Sequence, residues 1–341
     1  MESPDTLGLF NEKLKPSEER KVILKPRVML INPTIRPEGV QLLQKSCDVY
    51  FAPDGDEKTL VEYVAKGAEA LITRMEPITK NVIEVGKDLR VIGRPGVGVN
   101  DIDLQAATAK NIRVINVPAG NALSVAEHVV ALMLALAKMV KKGDEAVRGN
   151  DWMFRDRELP MEISNKNLYL LGFGNNARIT ARIAQQAFDM KVRAFDPFLD
   201  RKVFEEMKVR VIEDMDSGFK GADFVSVHLP LTPSTKHLIG TKQFQLMEGA
   251  YFINCSRGGI VATDDLVNAL NIGLLKGAGI DVFEEEPPSK TNRLLQCNNA
   301  ILTPHYAGDT IEAKTRCALI LVENVIKQLR GEKAEGIVNI K

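Results

Sequence analysis

The sequence predicts an α/β protein made of two doubly wound parallel sheets. Three observations lead there. Short apolar runs alternate with helix-like segments, most runs are apolar throughout, and the runs fall into two sets flanking one long apolar stretch. Alternation implies crossover connections and hence parallel pairing. Runs without a polar face imply sheets covered on both sides.

The first set comprises "RVMLIN" (27–32), "DVYFAP" (48–53), "EALITR" (69–74), "RVIGRPG" (90–96) and "RVINVP" (113–118), with helix-like segments such as 37–46 and 101–110 between them. The second comprises "LYLLGFG" (168–174), "KVRAFDP" (191–197), "ADFVSVHLP" (222–230), "AYFINCSRG" (250–258), "GAGIDVF" (277–283) and "AILTPH" (300–305). Between the sets, "SVAEHVVALMLALAKMV" (124–140) is apolar almost all round, the pattern of a buried helix. A second helix is expected in "EAKTRCALILVENVIKQLRG", stopped by Gly331. Residues 1–24 are polar and aperiodic, and read as a flexible arm.

A chain of 341 residues can form two cores. Its 45 Lys and Arg balance 45 Asp and Glu, so no excess charge calls for nucleic acid or an acidic membrane surface. No run approaches about 18 uninterrupted apolar residues, and the N-terminus lacks the basic start and apolar block of a secretion signal. A cytoplasmic protein is expected. Cys47, Cys255, Cys297 and Cys317 are widely spaced with no C-x-x-C, which indicates neither a disulfide framework nor a metal site.

The run "LYLLGFGNNARITARIA" carries Gly172-x-Gly174-x-x-Ala177 between a strand and a helix. Alone, such a turn also suits an ordinary strand-to-helix junction. A dinucleotide site additionally demands an acidic residue ending the next strand, and Asp196 stands there, 19 residues beyond Ala177. Its carboxylate can accept from ribose hydroxyls and would repel a 2′-phosphate, which favours NAD(H) over NADP(H). The side chains of Asn175 and Asn176 need only stay clear, because backbone N–H groups and the helix N-terminus hold the pyrophosphate.

Three further stretches, "INCSRGGIV" (253–261), "GIDVFEEEPP" (279–288) and "LTPHYAG" (302–308), each place an ionisable residue just past a predicted strand. In a parallel sheet these ends meet at the ligand crevice, so Arg257, Glu286 and His305 are expected to face one cleft. Each alone has a plainer reading: a surface arginine, a solvated acidic turn, a packed histidine. Together they suit reduction of a 2-keto acid. An imidazole, with an ordinary pKa of about 6.5, delivers the proton. A carboxylate beside it favours the charged ring, and a guanidinium fork holds carboxylate and carbonyl oxygens.

These stretches, with "VIGRPGVGVNDIDLQAATAKNIRVINVP" and "NALSVAEHVVALMLALAK", resemble the signatures of the D-2-hydroxyacid dehydrogenase family, in particular its D-3-phosphoglycerate dehydrogenase branch. The resemblance runs from about residue 27 to the closing "GIVNIK". It implies a Rossmann NAD-binding domain (121–305) inserted into a discontinuous, flavodoxin-like substrate domain (25–120 and 306–341), and a homodimer. It also implies that Arg257, Glu286 and His305 are catalytic, that Val97 and Gly98 receive the substrate carboxylate, and that Arg74 and Arg94, with Lys138 as a third cation, meet a substrate phosphate. His228 and Pro230 fall near adenosine and Asp281 near nicotinamide, while His128 and His237 are expected to be structural. The chain departs from the pattern at Asn175–Asn176, at Pro95, in the Asn100–Asp101 order and in "YAGDT" after His305. Asp309 there is expected to disfavour a bulky anion. The expected activity is NAD-dependent D-2-hydroxyacid oxidation or 2-keto acid reduction, with 3-phosphoglycerate the leading substrate. Glyoxylate or hydroxypyruvate reduction comes second, and an NAD(H)-sensing corepressor-like binding protein is the reading from another class.

Overall fold

The computed structural model describes residues 25–32 and 34–340; the expected arm, residues 1–24, lies outside them. Two parallel sheets form. The first contains β1 (Arg27–Ile31), β2 (Asp48–Ala52), β3 (Ala70–Ile72), β4 (Val91–Gly93) and β5 (Arg113–Ile115), in the order β2-β1-β3-β4-β5. This is the flavodoxin-like order. The second contains β6 (Asn167–Leu171), β7 (Lys191–Phe195), β8 (Arg210–Val211), β9 (Phe224–Val227), β10 (Tyr251–Asn254), β11 (Gly277–Ile280) and β12 (Ala300–Leu302). Its order, β12-β11-β10-β9-β6-β7-β8, is the doubly wound nucleotide-binding order with one added strand. The topology reverses between β6 and β9, which places a crevice beyond their C-terminal ends.

Both faces of each sheet are covered, which is why the strands lack a polar side. Helix Ile311–Leu329 closes the first sheet from the far end of the chain, burying Cys317, Leu321, Val322 and Val325 with Val28, Ile72 and Val91. Helix Ala122–Ala137 packs on β10, β11 and helix Asn175–Phe188, burying Val129, Leu132, Met133 and Ala137. The two segments that cross between the sheets meet each other: Ser124 Oγ lies 2.8 Å from Thr310 Oγ1, and Arg316 Nε donates to Gly120 O at 2.7 Å. All four cysteines are free and buried, and burial raises their thiol pKa values.

Candidate active site

The glycine turn after β6 is built to receive an anion. Gly172 holds φ +92°, and a Cβ there would stand 2.8 Å from His228 O, so only glycine fits against the end of β9. A Cβ at Gly174 would meet nothing within 4 Å. Helix Asn175–Phe188 starts with no side-chain cap, so its first N–H groups and the positive end of its dipole face the turn. Asn175 turns its amide oxygen to Arg178 at 2.6 Å, along the helix. These features fit a dinucleotide pyrophosphate.

Asp196 ends β7 beside this turn. Its Oδ2 accepts from Phe173 N at 3.0 Å and its Oδ1 from Phe198 N at 3.1 Å, which fixes the carboxylate where a ribose would lie. Asp196→Ala is expected to lower the ratio of kcat/KM with NADH to that with NADPH; an unchanged ratio would show that another group sets the preference. His228 Nε2 lies 2.9 Å from Ser226 Oγ, and burial pushes its pKa down to about 4, so the ring is neutral at pH 7. Pro230 follows on the same loop, its carbonyl taken by Thr235 Oγ1 at 2.7 Å.

The three candidate groups follow adjacent strands at the same edge. Arg257 follows β10, Glu286 follows β11 and His305 follows β12. His305 Nδ1 stands 2.6 Å from Glu286 Oε2, while Glu286 Oε1 accepts from Phe283 N at 3.0 Å. The carboxylate is thereby aimed, and the ring's Nε2 has no protein partner among the described residues. The Arg257 loop is shaped by Asn254, a buried amide that accepts from Ser256 N and donates to Arg257 O, both at 3.0 Å. A Cβ at Gly258 would fall 1.9 Å from Phe283 C, so the Arg257 loop lies directly against the segment carrying Glu286.

His305 itself sits at φ +51°, a region few non-glycine residues occupy. Such a conformation persists where neighbours over-determine it, and Asp281 does so. Its backbone oxygen accepts from His305 N at 2.8 Å. Its carboxylate, 1% exposed, takes Thr303 Oγ1 (2.5 Å), Tyr306 N (3.1 Å) and Ala307 N (3.0 Å). The Asp281 carboxylate is turned inward onto the His305 loop, which brings three donors to it. His128 Nε2 meets Thr303 Oγ1 at 3.1 Å, and burial lowers its pKa.

The first sheet supplies the opposite wall. A Cβ at Gly98 would lie 3.2 Å from Arg257 Nη2, so the loop after β4 faces the guanidinium. Asn116 Nδ2 donates to Val97 O at 2.8 Å and orients the loop, leaving the Val97 and Gly98 N–H groups without a protein acceptor among the described residues. Arg94 follows β4 on the same loop, and its Nη1 is buried with no hydrogen-bond partner among the described residues. It is 8% exposed and its Nη2 pairs with Asp101 Oδ2 at 2.6 Å, so its charge is matched within its own loop. Arg74 stands at the end of β3, where Glu76 Oε2 gathers Thr73 Oγ1, Arg74 N and Met75 N at 3.0, 2.8 and 3.0 Å. Hydrogen bonds from this turn outweigh burial and hold the Glu76 carboxyl below its ordinary value. Asp309 pairs with Lys314 at 2.7 Å, so its charge is also matched. Lys138 closes helix Ala122–Ala137, whose Leu136 lies against Gly277 at the start of β11.

Comparisons with known proteins agree with this architecture. Residues 130–307 match the family described as D-isomer specific 2-hydroxyacid dehydrogenase, NAD binding domain. A D-3-phosphoglycerate dehydrogenase of Methanocaldococcus jannaschii is 38% identical over 92% of this chain, which spans 59% of that relative's length. A hydroxypyruvate reductase of Thermotoga maritima is 35% identical, covering 88% of this chain and 97% of its own. A crystal structure of a Thermus thermophilus protein superposes with a TM-score of 0.82 at 31% identity, over 92% of this chain and 99% of that one.

Proposed function

Because this chain belongs to the D-isomer specific 2-hydroxyacid dehydrogenase family, we propose that it interconverts a small D-2-hydroxy acid and its 2-keto acid with NAD(H). The observation that carries this reading is the His305–Glu286 pair beside an arginine that faces the Val97–Gly98 loop. In the direction of reduction, Arg257 and the Val97 and Gly98 N–H groups hold the substrate carboxylate, a charge-assisted arrangement. His305 Nε2 delivers a proton to the carbonyl oxygen. Glu286 fixes the ring through Nδ1 and so aims Nε2 at the substrate. When bound, the nicotinamide supplies the hydride. Asp196, the Gly172–Gly174 turn and the start of helix Asn175–Phe188 would hold the dinucleotide.

The leading substrate pair is 3-phosphoglycerate and phosphohydroxypyruvate. Support comes from the similarity to D-3-phosphoglycerate dehydrogenases and from Arg74 and Arg94 at the substrate-side sheet edge. The Arg94–Asp101 pair favours a second reading, reduction of hydroxypyruvate or glyoxylate, because a matched guanidinium attracts a dianion less. A panel of NADH oxidation with phosphohydroxypyruvate, hydroxypyruvate and glyoxylate separates these. The first is expected to give the highest kcat/KM, a higher value for hydroxypyruvate would select the second reading, and NADH binding without turnover would select a sensor.

We also read the chain as a homodimer. Exposed Val140, Val147, Trp152, Met153 and Leu159 line one segment after helix Ala122–Ala137, a density of apolar surface that a second copy would cover. Light scattering at the mass of one chain would dispose of this.

A further inference from the structure

A second histidine–carboxylate pair lies beside the first. His237 Nε2 stands 2.6 Å from Glu284 Oε2, and Glu284 Oε1 accepts from Thr263 N at 2.9 Å, at the start of helix Thr263–Asn271. Two residues on, Glu286 makes the pair with His305. One short strap therefore carries two carboxylates, each tied to a different imidazole. Burial tends to raise the Glu284 pKa, but hydrogen bonds from Thr263 and His237 hold it below its ordinary value.

His237 also reaches the guanidinium loop. Its N–H donates to Gly259 O at 2.9 Å, and Ile239 N donates to Ile260 O at 3.1 Å. Ala262 N returns to Ile239 O at 2.9 Å. His237 holds φ +50°, an uncommon conformation for a residue with a side chain, at a point where both its backbone and its ring are engaged. Through its backbone it grips the segment after Arg257, and through its ring the strap before Glu286. Gly258 of the first segment also packs directly against Phe283 and Glu284 of the second.

We propose that His237 is a positioning residue: with Glu284 it sets the placement of the Arg257 loop relative to the Glu286 strap, and so of the guanidinium relative to His305. This rests on the roles assigned to Arg257, Glu286 and His305 above. His237 touches none of the reacting groups and acts through the loops that bear them.

The test uses the full chain. His237→Asn suits the left-handed backbone but is too short to reach Glu284, whereas His237→Gln keeps a donor at comparable reach. The expected result for His237→Asn is a kcat reduced about 10-fold by misplacement of the acting groups, with the NADH Kd unchanged. Gln should restore most of the loss. Glu284→Ala combined with His237→Asn should cost no more than Glu284→Ala alone, because that change already removes the contact His237 makes. Hydrogen exchange is read in parallel and should quicken at 257–261 and 283–286 in His237→Asn. Unchanged exchange in both segments overturns the proposal, whatever the turnover. So does quickened exchange with normal kcat, or an equal loss of NADH affinity, which would move His237 into the cofactor pocket. If the unaltered protein turned over none of the 2-keto acids, the functional reading would fail instead, and exchange would still decide whether the clamp exists.

Discussion

Replacing His305 with alanine is expected to lower kcat by about 10²–10⁴-fold, the range for loss of a positioned proton donor. NADH should still bind with its normal Kd. The reason is geometric. His305 lies at the end of β12, outside the Gly172–Asp196 half of the crevice, and its Nδ1 is already engaged by Glu286 at 2.6 Å. Its Nε2 is therefore the one ring nitrogen available to the substrate. Stopped-flow fluorescence for NADH affinity and steady-state turnover on the best 2-keto acid measure the two quantities separately. A normal kcat would remove His305 from the chemistry. A parallel loss of NADH affinity would make it a cofactor contact.

The second large effect is expected at Arg257. Hydrogen bonds to charged groups contribute about 1.5–3 kcal/mol each, so Arg257→Ala should reduce kcat/KM by at least about 10–100-fold. Lysine should rescue little of it, since an ammonium cannot present the planar pair of donors that carboxylate and carbonyl oxygens match. The loop geometry is expected to survive the change, because Asn254 shapes it through the backbone of Ser256 and Arg257. Steady-state kinetics at saturating NADH decide the point. An unchanged kcat/KM in Arg257→Ala would show that the substrate carboxylate docks elsewhere.

Much of this was legible in the sequence, for physical reasons. Eleven apolar runs marked eleven of the twelve strands, because parallel strands covered on both faces have no polar side to interrupt them. The exception is β8, two residues at the sheet edge, "RV", which buries too little to leave a pattern. The helix expected over 101–110 is confined to Leu104–Ala109, since the Asp103 side chain caps it by accepting from Ala106 N at 2.9 Å. Residue 101 is thereby left in the loop, where it pairs with Arg94.

The meeting of Arg257, Glu286 and His305 could be read because strand ends in a parallel sheet converge. What escaped were partnerships fixed by loop paths. Asp281 follows β11 like Glu286, yet it turns inward because the 303–307 loop presents three donors to it. The Asn100–Asp101 order stood out in the sequence, but nothing in the spacing foretold an ion pair with Arg94. His237 and Glu284 are 47 residues apart, and only the folded loops bring them together. The one available signal for the buried Asn254 was a polar residue closing the apolar run "YFIN".

The most direct measurement is a crystal structure of the chain with NADH and oxamate, an unreactive mimic of a 2-keto acid. The account predicts the oxamate carboxylate on the Val97–Gly98 N–H groups and the Arg257 fork, and its carbonyl oxygen within hydrogen-bonding distance of His305 Nε2. Oxamate bound away from Arg257, or His305 parted from Glu286 in that complex, would contradict it.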